Sequence, residues 1–213
     1  MLIHNETFRD TVDTEAELRS IIGEPSKLAT GKVISHLDKN CRDFIKQSPF
    51  LVLSTANQLG FCDTSPRGDM PGFVLVLDEK RLIIPERPGN KRIDSMRNIL
   101  SNPRIGLLFL IPGMGEMLRI NGKACLIKDE RLLEQMEVKE KKPLIGIGVE
   151  VEECFIHCAK AFKRSKLWEP VSWAEKETLP SASEIMAAHA KIPGTTADLV
   201  EKRLQEGYAK RLY

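Results

Sequence analysis

The chain has 213 residues, 42% of them hydrophobic and 29% charged, with a net charge of +2. That is enough chain for one ordinary domain with appendages, or at most two small ones, around a core that needs no staples. The balance is that of a soluble globular protein, and so small a net charge gives no electrostatic case for a nucleic-acid partner.

The first residues, "MLIHNETFRDTVDTEAEL", carry early acids and no apolar h-region, so no signal peptide is expected. No stretch approaches the roughly 20 apolar residues of a membrane span. The five cysteines, Cys41, Cys62, Cys125, Cys154 and Cys158, are odd in number and widely spaced without a CxxC. That pattern suits reduced thiols in a cytoplasmic protein better than a disulfide framework.

In chain order, Thr14 and Glu17 stand at capping-box spacing before "AELRSIIG", which predicts a short helix closing on Gly23. Leu37, Cys41, Phe44 and Ile45 share one face of a second helix predicted from Ser35 to about Ser48. "FLVLSTAN" then reads as a strand ending in the turn "NQLG". "FCDTSPRGDMPGFVLVLD" resumes strand character around an irregular interruption, and "RLIIPE" follows. "IDSMRNIL" is a helix that stops at "SNP". The strands "RIGLLFLI", "MLRINGKACLI" and "LIGIGVEVEECFIHC" complete the middle, with a short helix in "DERLLEQMEV". Strands joined by short turns, with few helices between them, indicate an antiparallel barrel or sandwich, mainly β, flanked by helices. From Ala159 onward the chain reads as helical or irregular, with Ser181 and Glu184 as a further capping box and an amphipathic terminal helix.

Three segments carry candidate chemistry. In "RPGNKR" (87–92), Gly89 frees the backbone, Asn90 is a favoured helix N-cap, and Arg87, Lys91 and Arg92 add positive charge. A helix start with such cations is a phosphate site of a recognised kind. Taken alone, the segment reads equally as a solvated turn with a capped helix. "TSPRGDMPG" (64–72) offers Thr64, Ser65 and Arg67 as donors, or simply a wide hairpin. "HCAKAFKRSKLW" has Lys160, Lys163, Arg164 and Lys166 on a basic helix beside Trp168. Cys154, His157 and Cys158 make a poor zinc site, because His157 points to the other face of a strand. There is no GxSxG, no GxGxxG after a strand and no GxxxxGK[ST].

Together, "SPRGD", "RPGNKR", "NPRIGLLFLIPG" and "LRINGKA", in this order, resemble the pyridoxamine 5'-phosphate oxidase-related, FMN-binding split-barrel family. "CAKAFKRSKLW" is similar to a later motif of one subgroup, and the resemblance spans roughly residues 45 to 170. It implies a six-stranded antiparallel split barrel over 41–168, a helical extension over 1–40 and a helical tail over 169–213. It further implies a homodimer with FMN at the subunit interface. By position, Arg67, Asn90, Lys91 and Arg92 would hold the FMN phosphate, and Ser65, Ile84 and Pro85 would line the ribityl chain and ring. Glu116, Arg119, Arg164 and Trp168 would approach the ring from the second subunit, while Arg87 reads as a solvated neighbour. The family's true oxidases carry an Arg-x-His-x-Arg cluster after a Trp, which "EECFIHCAKAFKRSKLWEP" lacks, so the vitamin B6 reaction is not expected. The expectation is an FMN-dependent oxidoreductase acting on a small organic substrate, with NAD(P)H or dioxygen as its redox partner, no metal and no identifiable catalytic residue. Alternatives are a split barrel for deazaflavin or haem, a non-catalytic flavin binder, and a nucleic-acid-binding barrel.

Overall fold

The structure is a computed structural model that describes residues 7–213, so the start of the N-terminal segment lies outside the described residues. The chain divides into two compact units, Met1–Val33 and Ile34–Tyr213. In the first, Thr14 caps α1 (Glu15–Ile22) as its spacing predicts, its side chain accepting from the Glu17 N–H. Ser26 caps α2 (Lys27–Gly31), and neither helix buries a residue.

The second unit opens with α3 (Lys39–Gln47), capped by Asp38. It starts later than the predicted Ser35 because the preceding residues are committed elsewhere. Ile34 forms an antiparallel bridge with Cys154, and the Leu37 N–H donates to Glu79 O. Cys41, Phe44 and Ile45 are the buried face of the helix.

Among the described residues seven strands follow, β1 (Phe50–Ala56), β2 (Cys62–Gly68), β3 (Leu75–Val76), β4 (Arg81–Pro85), β5 (Arg104–Leu110), β6 (Met117–Ile127) and β7 (Gly146–His157). They form one antiparallel sheet in the order β2-β1-β5-β6-β7-β4-β3. This is the expected split barrel, mainly β and flanked by helices, but with seven strands rather than six. The extra one arises because "FCDTSPRGDMPGFVLVLD" breaks at Gly72, whose φ of +83° suits glycine, leaving β3 as a two-residue strand of its own.

Side-chain alternation builds the core. Leu51 and Leu53 of β1, with Ile105, Leu107 and Phe109 of β5, point inward to meet Leu118 and Ile120 of β6 and Ile147 and Val149 of β7. The helix α4 (Asp94–Ser101) buries Ile99 in the same cluster. α5 (Glu130–Glu134) covers β4 through a smaller cluster of Ile83, Leu133 and Met136. Toward the C-terminus come α6 (Lys160–Ser165), α7 (Ala182–Ala190), capped by Ser181 as predicted, and α8 (Ala197–Lys210). Among the described residues, no helix is long and apolar enough to cross a membrane.

The sheet order leaves β2 as an edge, and β3 pairs only with Leu82 and Ile83 of β4. Beyond Ile83 that side of β4 is therefore open. The split of the barrel lies between β2 and the end of β4.

Candidate functional site

β2 is regular where the sequence suggests interruption. Pro66 sits opposite Val52 within a continuous ladder, which an edge strand tolerates because the missing N–H faces away from the sheet. The strand's period of two then puts Asp63, Ser65 and Arg67 on one half-buried face while Cys62, Thr64, Pro66 and Gly68 are exposed. Across the split, the chain leaves β4 at Pro85 and runs through Glu86 and the 87–92 corner into α4. The two sides wall a cleft of ≈ 1090 Å³, whose lining also includes Lys141, Lys142, Pro143 and Tyr213. Its size is just above the roughly 300–1,000 Å³ of small-molecule sites.

Arg67 is the centre of the β2 wall. One of its terminal nitrogens donates to Ser65 Oγ and to Pro66 O. Its Nε lies 3.2 Å from Glu86 Oε2, spanning the split. The two side chains are only 15% and 24% exposed. Yet this pair is poorly aligned: among the described residues, Arg67 Nε and Glu86 Oε2 are the buried side-chain polar atoms that lack a hydrogen bond. Such atoms are uncommon in folded proteins and point to a strained or functional site. Burial pushes the Glu86 carboxyl above its ordinary value, and the neighbouring Arg67 offsets this only in part. On the same wall, Ser95 of α4 hydrogen-bonds the Asp63 carboxylate, which ties the helix to β2.

The 87–92 corner differs from its sequence reading. Asn90 does not cap α4. Its Oδ1 accepts from the Arg92 N–H at 3.0 Å, and the N-cap position belongs to Ile93, which has no side-chain cap bond. Lys91 and Ile93 have φ of 60° and 56°. The left-handed conformation is costly for a β-branched residue, and such strain concentrates at ligand sites. Lys91 is exposed, and Arg92, also exposed, pairs with Asp94 at 2.7 Å. Two exposed cations therefore line this side of the cleft.

Arg87 is a correction of another kind. It is no solvated neighbour: its side chain is 14% exposed and its Nε bonds Asp69, itself 1% exposed, at 2.7 Å. A second nitrogen donates to Met136 O at 2.9 Å, and the Tyr213 hydroxyl donates to the same Asp69 at 2.7 Å. Arg87 is thus committed to holding the corner and Tyr213 in place.

Of the residues singled out from sequence, Thr64, Ser65, Arg67, Pro85, Arg87, Gly89, Asn90, Lys91 and Arg92 converge on the cleft. Ile84 does not line it, being fully buried in the barrel core. Glu116, Arg119, Arg164 and Trp168 also lie outside it. Arg119 stands over the Phe155 ring at 5.6 Å. Trp168 stacks on Phe162 at 5.2 Å between centroids and donates its Nε1–H to Met114 O at 2.9 Å. Glu86, Asp63, Lys141, Lys142 and Tyr213 are cleft residues that no local motif marks. Glu86 follows directly on "RLIIP", and an acid next to a predicted cationic corner was the available signal.

A family model described as pyridoxamine 5'-phosphate oxidase matches residues 37–158. No curated protein matches the sequence. Among solved structures, HupZ of Group A Streptococcus is 20% identical over 56% of this chain and 92% of that chain, with a TM-score of 0.45. An FMN-binding protein from Syntrophomonas wolfei is 9% identical over 54% and 86%, with a TM-score of 0.41. General Stress Protein 26 from Bacillus anthracis is 15% identical over 54% and 88%, with a TM-score of 0.40.

Proposed function

Since the chain belongs to the pyridoxamine 5'-phosphate oxidase family, we propose that it is a cytoplasmic FMN-dependent oxidoreductase that holds its flavin in the cleft at the barrel split. The observation that carries this reading is the convergence of Arg67, Lys91 and Arg92 on one cleft that also holds an unsatisfied buried Arg67 Nε. A dianionic phosphate suits such a wall, because charge-assisted hydrogen bonds to Arg are roughly twice as strong as neutral ones.

Bound FMN would supply hydride and electron transfer at its ring. The chain's own residues bind and orient. Arg67 and Arg92 neutralise the phosphate, Ser65 fixes the Arg67 fork, and Pro85 offers an apolar contact beside them. Glu116, Arg119, Arg164 and Trp168 lie outside the cleft of their own chain. They reach the flavin only if a second copy brings them, so the proposed active form is a homodimer acting on a small organic substrate. NAD(P)H or dioxygen would complete the electron balance.

The test is binding. FMN added to the purified protein should raise its melting temperature and have its fluorescence quenched; the absence of both changes would sink the flavin assignment. Arg67→Ala and Arg92→Ala should weaken FMN by about 10- to 100-fold, the worth of a hydrogen bond to a charged group, and riboflavin far less. Equal losses for both ligands would remove the phosphate assignment. Anaerobic bleaching of the bound flavin by NAD(P)H, followed by reoxidation with substrate, separates an oxidoreductase from a flavin carrier.

A further inference from the structure

The odd and scattered cysteines conceal a pair. Cys41 of α3 is 8% exposed and Cys154 of β7 is 0% exposed. Their sulfurs are 3.3 Å apart, with the Cys154 thiol donating to Cys41 across 113 residues of sequence. Cys62, Cys125 and Cys158 are exposed, and all five thiols are free.

Both members of the pair are held by their backbones. The Cys41 N–H donates to the Asp38 carboxylate that caps α3, at 2.8 Å. Cys154 exchanges two hydrogen bonds with Ile34, at 3.0 and 2.7 Å, and lies opposite Ile120 of β6. The two thiols are also unequal. The hydrogen bond from Cys154 favours the Cys41 thiolate and lowers that thiol below its ordinary value, against burial and the Asp38 charge. The same bond, then burial, pushes Cys154 up. Cys41 is therefore the less buried and the more readily ionised of the two, which makes it the attacking thiol of the pair. Cys154 is placed to resolve it.

We propose that Cys41 and Cys154 are a dithiol–disulfide couple, which a hydroperoxide oxidises to an intramolecular disulfide stapling α3 to β7. The Cys41 thiolate attacks one peroxide oxygen, the O–O bond breaks, and the departing oxygen takes a proton and leaves as water or alcohol. Cys41 is then a sulfenic acid. Cys154 gives up its proton and its sulfur attacks the Cys41 sulfur, so that S–S forms, S–O breaks and water leaves. The two thiols lose two electrons, and the peroxide gains them. The sulfurs need only close from 3.3 Å to the roughly 2.05 Å of a disulfide.

The experiment uses the full chain carrying Cys62→Ser, Cys125→Ser and Cys158→Ser, which leaves only this pair, treated with hydrogen peroxide. Thiols are then counted under denaturing conditions and the intact mass is measured. Both thiols should vanish, with a mass loss of about 2 Da rather than a gain of oxygen, and dithiothreitol should restore them. The melting temperature should rise by about 5–10 °C, because the staple closes a long loop. Adding Cys154→Ser to that background, which keeps a hydrogen-bond donor beside Cys41, should leave Cys41 as a sulfenic acid that dimedone traps. Thiols that persist at peroxide concentrations sufficient to oxidise Cys62 in the unsubstituted protein overturn the proposal. So do a mass gain without S–S formation, and a disulfide found only between two chains.

Discussion

Replacing Asp69 by asparagine removes a charge while keeping the shape of the side chain, and so tests whether the corner of the cleft rests on a buried ion pair. The Asp69 carboxylate is 1% exposed and accepts from Arg87 Nε at 2.7 Å, from the Tyr213 hydroxyl at 2.7 Å and from the Met70 N–H at 2.8 Å. Breaking a buried pair from one side costs about 3–5 kcal/mol, because the remaining charge is left uncompensated. Arg87 keeps its bond to Met136 O, and the introduced amide would still offer a carbonyl, so the low end applies, about 3 kcal/mol. At about 2–4 °C per kcal/mol for a chain of this size, the melting temperature should fall by roughly 6–12 °C at pH 7. Burial alone would raise the Asp69 carboxyl, but the Tyr213 hydroxyl, the Met70 amide and Arg87 outweigh it and hold it below its ordinary value. A carboxylate depressed in the folded state contributes stability above its unfolded pKa and loses it as pH falls through the folded one. The gap between D69N and the parent should therefore be full at pH 7 and narrow below about pH 4. Circular-dichroism melts across that range are the assay. A D69N protein that melts within about 2 °C of the parent at pH 7, or a gap unchanged into acid, would refute the reasoning.

Glu86→Gln tests the opposite sign. The Glu86 carboxyl is raised by burial beyond what Arg67 offsets, so its favourable contribution is present below the unfolded pKa and is lost as pH rises through the folded one. Melts of E86Q relative to the parent should accordingly improve from about pH 4 to pH 7, and a pH-independent difference would contradict this. With Arg67 no longer neutralised, E86Q should also bind FMN more tightly in a fluorescence titration. Gly122→Ala should be strongly destabilising, since a Cβ there would stand 2.0 Å from Glu150 O at the irregularity between β6 and β7. Overpacking against backbone falls at the top of the usual range, about 3 kcal/mol, and an unchanged melting temperature would be the contrary result. Phe109→Ala, at a fully buried core position, should cost about 3–5 kcal/mol and be visible in urea unfolding as a lower midpoint with an unchanged slope.

Local chemistry was legible. Thr14 and Ser181 cap the helices that their spacing announces, and the apolar alternation of β1 and β5 is readable residue by residue. What the residues alone concealed depends on contacts distant in sequence. Asn90 looks like an N-cap, but the cap is decided by where α4 must start to place Ile99 in the core and Ser95 against Asp63. Arg87 looks solvated because its partners, Asp69, Met136 and Tyr213, come from three other segments. "TSPRG" looks irregular because Pro and Gly are breakers in a central strand but not at an edge. The Cys41–Cys154 contact spans a helix and a strand that no spacing rule joins.

The misreadings of Asn90, Arg87 and "TSPRG" lie at the split itself. A barrel closed all round would pair the edge of β2 and the end of β4, and side chains there would have only to pack. Here β3 is two residues long and stops covering β4 before Ile84. The chain therefore has to satisfy two free edges, and it does so with polar side chains on β2 and charged ones past β4, joined by the Arg67–Glu86 contact. That contact remains imperfect, with buried atoms of both partners unsatisfied. An edge that needed only to be blunted would carry exposed lysines or a bulge. A half-satisfied ion pair, beside strained residues at Lys91 and Ile93, instead fits the proposed reading, in which the final hydrogen-bond partner of this wall is a ligand. On the proposed reading, the split, the strain and the unmatched Arg67 belong together, in a barrel left open where the flavin's phosphate would enter.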